Sequence, residues 1–288
     1  MLTPEELRQI RRLSVQAGRR VDSLFAGGYR SAFRGRGMEF EEVRPYVPGD
    51  DVRHIDWNVT ARAQDPHVKE FREERELTLM LAVDVSASMS FGSGGKDGVT
   101  DKRRQMARIA GALAYAAVRN NDRVGMMAFS DRVEHYVPPR KSRGHAWRVI
   151  REVFEHRPSR GATDLGQAIE FLGHTLRRRA VICVISDFLE EGDLYAQLAP
   201  LAMRHRVNTF LVWDPLEESI PPVGLLQMRD AETGAVRLVD AAAVRPGIPW
   251  QERLSLLTQS GAASSAISTA EDPFRALIRH FHRLERRR

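Results

Sequence analysis

Cysteine is almost missing: the 288 residues hold one, Cys183. A single thiol excludes an internal disulfide, and its place within the apolar run Ala180–Ile185 marks it as a buried structural group. Long apolar runs are missing as well. No stretch approaches the roughly 18 residues that span a bilayer. The opening MLTPEELRQIRRL has neither an uninterrupted apolar core nor a cleavage site, so no signal peptide is read. These absences predict a soluble, cytoplasmic chain. Other absences narrow the chemistry. There is no Gly-x-x-x-x-Gly-Lys-Ser/Thr loop for nucleotide phosphates and no Gly-x-Ser-x-Gly elbow for a serine nucleophile. The nine histidines have no metal-ligand spacing, and His280 and His282, two apart on an expected helix, read as solvated. No zinc finger, aromatic RNA-binding strand or basic recognition helix is present.

Acidic residues are scarce at both ends. Residues 1–36 carry eight Arg against three acids, and residues 275–288 six Arg against one, so each end holds +5 of a total of +6 and the body is acidic. Such ends can meet nucleic acid, an anionic membrane or an acidic protein surface, or serve solubility alone. With 42% apolar residues the chain has enough material for one sizeable core and a smaller attachment.

Periodicity divides it there. Thr3–Arg20 reads as a helix, with Pro4 in the first turn and Glu5 and Glu6 at the positive helix end. Residues 38–76 read as broken strands punctuated by Pro45, Pro48-Gly49-Asp50 and Asp65-Pro66. Residues 1–76 are therefore expected to form an N-terminal helix with a β-rich attachment, and residues 77–288 the main domain. From Leu77 strands and helices alternate. Strands are expected at 77–83, 123–129, 133–137, 180–186 and 207–213. Helices are expected from Thr100 or Asp101, along Trp147, Ile150 and Phe154, from a Thr163 cap, and along Leu194, Leu198 and Leu201. A hairpin is expected at 225–239, a short helix at 250–261 and a last helix from Pro273 with Phe274, Leu277, Ile278, Phe281 and Leu284 on one stripe. The rhythm predicts an α/β fold of three layers, Rossmann-like, with a mainly parallel sheet covered on both faces.

Ligands of such sheets bind beyond the carboxyl ends of the strands. The strand 77–83 leads into Asp84-Val-Ser86-Ala-Ser88, where a spacing of two keeps three side chains on one side of an extended chain. One carboxylate and two hydroxyls are hard donors, suited to Mg²⁺ and ill suited to soft metals. Thr163 lies in a Gly-x-Thr-Asp loop leading into a helix, and Asp187 ends the strand AVICVIS. If strands 77–83 and 180–186 are neighbours, Asp84 and Asp187 face one crevice.

The set Asp84, Ser86, Ser88, Thr163 and Asp187, in this order, resembles the metal-ion-dependent adhesion site of von Willebrand factor A domains over about residues 77–213. The stretch Arg44-Pro-Tyr-Val-Pro-Gly-Asp-Asp-Val-Arg-His-Ile-Asp-Trp57, with Ala61-Arg62, resembles the DUF58 family, bacterial proteins often linked to MoxR-type AAA+ ATPases. The first resemblance implies that Ser86, Ser88 and Thr163 bind Mg²⁺ directly or through water, with Asp84 and Asp187 direct or orienting waters. Mn²⁺ or Ca²⁺ are alternatives. Two carboxylates under-neutralise the ion, so a partner carboxylate can complete its shell.

The function expected is a non-enzymatic adaptor whose metal clamps an acidic side chain of a partner, the resemblance pointing to a MoxR-type AAA+ ATPase. The competing reading is a Mg²⁺-dependent hydrolase of phosphoesters or nucleic acid, with Glu190 or Glu191 as general base. A phosphatase of the haloacid-dehalogenase type is disfavoured because Ser86 stands where its second acid belongs. Trp57 is expected to anchor the attachment on the main sheet, with Asp56 and Arg53 in local ion pairs.

Overall fold

The computed structural model describes residues 28, 29, 32, 39–63, 65–72, 76–92, 101–156, 162–189, 192–221, 223–230, 234–244 and 247–286. The expected helix over Thr3–Arg20 and the glycine-rich stretch after Gly92 lie outside them. Two compact units emerge: Phe33–Glu76, and Leu77–Arg288 together with Met1–Ala32.

In the smaller unit β1 (Glu39–Pro45) pairs antiparallel with β2 (His67–Arg72), with a register shift between Phe40 and Glu42. The connection carries α1 (Trp57–Ala63). Asp56 Oδ1 accepts from the amides of Asn58 and Val59 at the start of α1, and Asp56 pairs with Lys69 at 3.3 Å. Arg44 grips Asp50 with both terminal nitrogens, at 2.7 and 2.8 Å, and reaches Glu70 with Nε at 3.1 Å. Trp57 is 70% exposed and does not pack into this unit's interior. The expected local ion pairs do form, Arg53 reaching Asp51 at 3.8 Å.

The main unit is built on β3 (Thr78–Asp84), β4 (Arg123–Phe129), β5 (Val133–Arg140), β6 (Val181–Ser186), β7 (Arg206–Trp213) and β10 (Ala263–Ser268), in the order β10-β7-β6-β3-β4-β5. All neighbours are parallel except the edge pair β4 and β5. The inner strands are buried on both faces, as a covered parallel sheet requires. A separate hairpin joins β8 (Leu225–Arg229) to β9 (Val236–Asp240).

Helix α2 (Lys102–Arg119) crosses β3, β4, β6 and β7, flanked by α3 (Arg143–Glu155) and α8 (Pro273–Arg286). The opposite face takes α4 (Leu165–Thr175), α5 (Leu194–Arg204) and α7 (Trp250–Gln259). There Leu165, Leu172, Leu198, Leu201 and Leu257 pack on Met80, Ala82, Ile182 and Val184. α6 (Pro215–Glu218) is a single turn after β7. The fold is the three-layer α/β arrangement expected.

Several local expectations need correction. The cap of α4 is Asp164, which accepts from the Gln167 amide at 2.8 Å, and not Thr163. Trp147 is 42% exposed because the apolar stripe of α3 runs through Ala146, Val149, Ile150 and Val153. β10 was not expected, since Ala-Ser-Ser-Ala-Ile-Ser lacks the apolar run of an inner strand; as an edge strand it needs less. His280 is buried rather than solvated, and it lies beside Ser265 Oγ at 2.6 Å and Asn208 Oδ1 at 3.1 Å. Tyr29 is fully buried edge-on to Phe281 at 6.0 Å, so this residue belongs with the main unit and not with the attachment.

Candidate metal centre

β3 and β6 are neighbours, so Asp84 and Asp187 leave the sheet at the same carboxyl edge. The turn after β3 is tied down by the Val85 amide, which donates to the Phe129 carbonyl at 2.8 Å. Asp84 is fully buried. Its Oδ1 accepts from the Ser86 amide at 2.8 Å and its Oδ2 from the Ser186 hydroxyl at 2.6 Å. The hydroxyls of Ser86 and Ser88 stand 3.0 Å apart. The three side chains expected on one side are thus gathered.

Thr163 reaches this edge by another route. The Asp164 amide donates to the Ser130 carbonyl at 2.8 Å, which fastens the 162–165 loop to the end of β4, the neighbour of β3. Because Asp164 does the capping, the Thr163 hydroxyl is not committed to the helix by that role. Thr163 is half-buried.

Asp187 is held differently. Its Oδ2 meets the Lys102 ammonium at 2.6 Å, and its Oδ1 accepts from the Leu189 amide at 3.3 Å. Between them Phe188 adopts left-handed backbone, φ 50°. That costs a bulky residue roughly 1–2 kcal/mol. Burial of its ring and the bond from its amide to Ser186 Oγ at 3.0 Å oppose the cost. Lys102 also meets Glu217 Oε1 at 2.7 Å, and Arg253 binds Glu217 Oε2 at 3.2 Å while donating to the Asp187 carbonyl. The Lys102 ammonium lies 5.6 Å from the centre of the Phe91 ring.

The electrostatics follow. Burial, and then the negative charge of Asp187, push the Asp84 carboxyl up to about 7, against the pull of its serine hydrogen bonds. Burial alone would discharge Lys102, but Asp187 and Glu217 outweigh it and hold its pKa above the ordinary value. Lys102 and Arg253 thus balance Asp187 and Glu217, and the buried Asp84 carboxyl stands beside this cluster.

The donor set fits a hard divalent ion. Two carboxylates whose charges oppose each other in a buried site are relieved by a cation, and the hydroxyls of Ser86 and Ser88 are oxygen donors beside them. Among the described residues no group of three or more His, Cys, Asp or Glu gathers as a metal site, so the candidate depends on these hydroxyls. Glu190 and Glu191, the general bases of the hydrolase reading, lie outside the described residues.

Lys102, Ser186, Glu217 and Arg253 were not foreseen. One signal was available: Lys102 opens a helix directly after its Asp101 cap, where the dipole disfavours a cation unless carboxylates face it. Glu217 and Arg253 lie far off in sequence and carry no local mark.

The chain belongs to the DUF58 family: the family model described as "Protein of unknown function DUF58" matches residues 42–254. An uncharacterized protein of Mycobacterium tuberculosis is 34% identical over 236 residues, which cover 81% of this chain and 73% of that one. An uncharacterized protein of Mycobacterium bovis matches to the same extent. Among solved structures, an aerotolerance-related membrane protein from Bacteroides fragilis shares the fold, with TM-score 0.52 at 18% identity over 74% of this chain and all of that one. The SpRpn10 VWA domain aligns with TM-score 0.46 at 10% identity, covering 71% of this chain and 94% of that one. Among the described residues no helix is long and apolar enough to cross a membrane.

Proposed function

We propose that this chain is a non-enzymatic interaction adaptor in which a divalent cation at the carboxyl edge of β3 and β6 clamps an acidic side chain of a partner protein. The observation that carries the reading is the gathering of Asp84, Ser86 and Ser88 at that edge, beside Asp187 on the next strand. Ser86, Ser88 and Thr163 would hold Mg²⁺, or Mn²⁺ or Ca²⁺, through their hydroxyls, with Asp84 and Asp187 as ligands or as acceptors for its waters. When bound, the ion supplies positive charge and exchangeable coordination positions. A divalent ion favours the ionised form of Asp84, and an incoming carboxylate can take one of its exchangeable positions. Lys102 already engages Asp187 on one oxygen, so that carboxylate is less free to neutralise the ion fully.

The partner proposed is a MoxR-type AAA+ ATPase, by the association of the family, in the assembly or maturation of other proteins. The test is retention of that ATPase on the immobilised full chain in Mg²⁺ and in EDTA, with Asp84→Ala alongside. Retention in Mg²⁺ alone, lost in Asp84→Ala, is expected. Equal retention under both conditions and by both proteins contradicts the clamp.

A further inference from the structure

A cavity of about 400 Å³ opens beside the candidate centre, within the main unit. Its walls are mostly apolar: Phe91, Leu189, Trp213, Met228, Ile248 and Trp250 contribute most of the character. Trp213 and Trp250 stack at 5.2 Å with 18° between their planes. Glu217 and Arg253, which hold Lys102 and the Asp187 carbonyl, belong to the same lining. Phe91 lies three residues after Ser88 and Leu189 two after Asp187, so the cavity adjoins the turns that carry the candidate ligands.

Two features bear on what it takes. Phe91, Leu189 and Ile248 are apolar side chains left exposed on its wall, a cluster that water disfavours. Trp250 and Arg253, three residues apart on α7 and therefore on one face, each bury an N–H that meets no acceptor among the described residues. Arg253 as a whole is 97% buried. An occupant that mixes apolar groups with acceptor oxygens, as a peptide does, suits such a wall.

We propose that this cavity is a side-chain pocket for the same partner segment whose carboxylate meets the cation, and that it takes a large aliphatic or aromatic residue beside that acid. The inference rests on the cation reading above. Charge complementarity selects the occupant. With the ion bound, the edge offers a cation with exchangeable positions at one end and an apolar cavity at the other, which matches an acidic residue followed or preceded by an apolar one. A buried apolar anchor also supplies specificity that a single metal–carboxylate bond lacks.

The test uses the full chain and an array of eight-residue peptides with one central Asp, each flanking position set in turn to Leu, Phe, Trp, Ser or Lys. In Mg²⁺, peptides with Leu, Phe or Trp at one flank are expected to bind about tenfold or more tighter than their Ser counterparts, the scale of losing a buried anchor. Ile248→Arg, at a position 57% exposed and so harmless to the core, is expected to abolish that preference while leaving Mg²⁺-dependent binding of the Asp peptides. No apolar preference, or one that survives Ile248→Arg, overturns the pocket, whatever the metal dependence. Apolar preference that is lost in Ile248→Arg but indifferent to EDTA and to Ser88→Ala supports the pocket and overturns the cation reading instead.

Discussion

Lys102 is the residue on which the interior of the site depends most. Its ammonium is enclosed by Asp187, Glu217 and the face of Phe91, with 1% of the side chain exposed. Removing one member of a buried ion pair leaves the others charged and unmatched, which costs about 3–5 kcal/mol. Lys102→Met should therefore lower stability by that order in urea denaturation of the full chain; a loss under about 1 kcal/mol would show that Asp187 and Glu217 find other partners. Single residues also mark where sequence reading succeeds and where it stops. Asp84, Ser86 and Ser88 were legible because they stand at alternate positions where an apolar strand ends. Lys102, Glu217 and Arg253 were not, because their meeting depends on two separate crossovers, β3 to β4 and β7 to β10, bringing distant segments to one edge.

The elements carry their own tests. Asp164 caps α4 while Thr163, one residue earlier, does not, so the two neighbours have separable roles. Asp164→Ala should cost about 1 kcal/mol of stability, the usual value of a lost N-cap. Thr163→Ala, which removes no cap, should cost less stability than Asp164→Ala, yet weaken Mg²⁺ binding in calorimetry. Equal effects of both on stability would mean that Thr163 serves the helix. Gly125 in β4 is a second case: a Cβ there would stand 2.8 Å from Pro139 N and from the Val137 carbonyl oxygen. The neighbouring β5 backbone cannot give way as a side chain would. Gly125→Ala is expected to destabilise by about 1–3 kcal/mol, as overpacking does, measured as a fall in urea midpoint. Most strands were legible from apolar runs and most helices from their stripes. The misses share one cause: cap choice at Asp164, the exposed Trp147 and the edge strand β10 are all set by what packs nearby, which local pattern does not encode.

At the scale of the whole molecule, the small unit and the main unit draw on different forces. The main unit buries continuous apolar strands under helices on both faces. The small unit carries a charged turn: the Arg44 fork, and then the Val47 amide, hold the Asp50 carboxyl down at about 2. A carboxyl depressed in the folded state stabilises above its unfolded pKa and loses that contribution as pH falls through the folded value. Acid should therefore loosen Phe33–Glu76 between roughly pH 4 and pH 2, followed through the amide signals of β1 and β2. Asp50→Asn should flatten that transition; an unchanged acid profile in the variant would assign it to other carboxylates. The central claim concerns the edge of the main sheet, where Asp84, Ser86 and Ser88 gather beside Asp187 on the next strand. The most direct measurement is anomalous scattering from crystals of the full chain soaked in Mn²⁺. A single strong peak at roughly 2.0–2.2 Å from the hydroxyl oxygens of Ser86 and Ser88, hard-ion coordination distances, is the result expected. Density for manganese only elsewhere, with those hydroxyls still turned to each other, would contradict it.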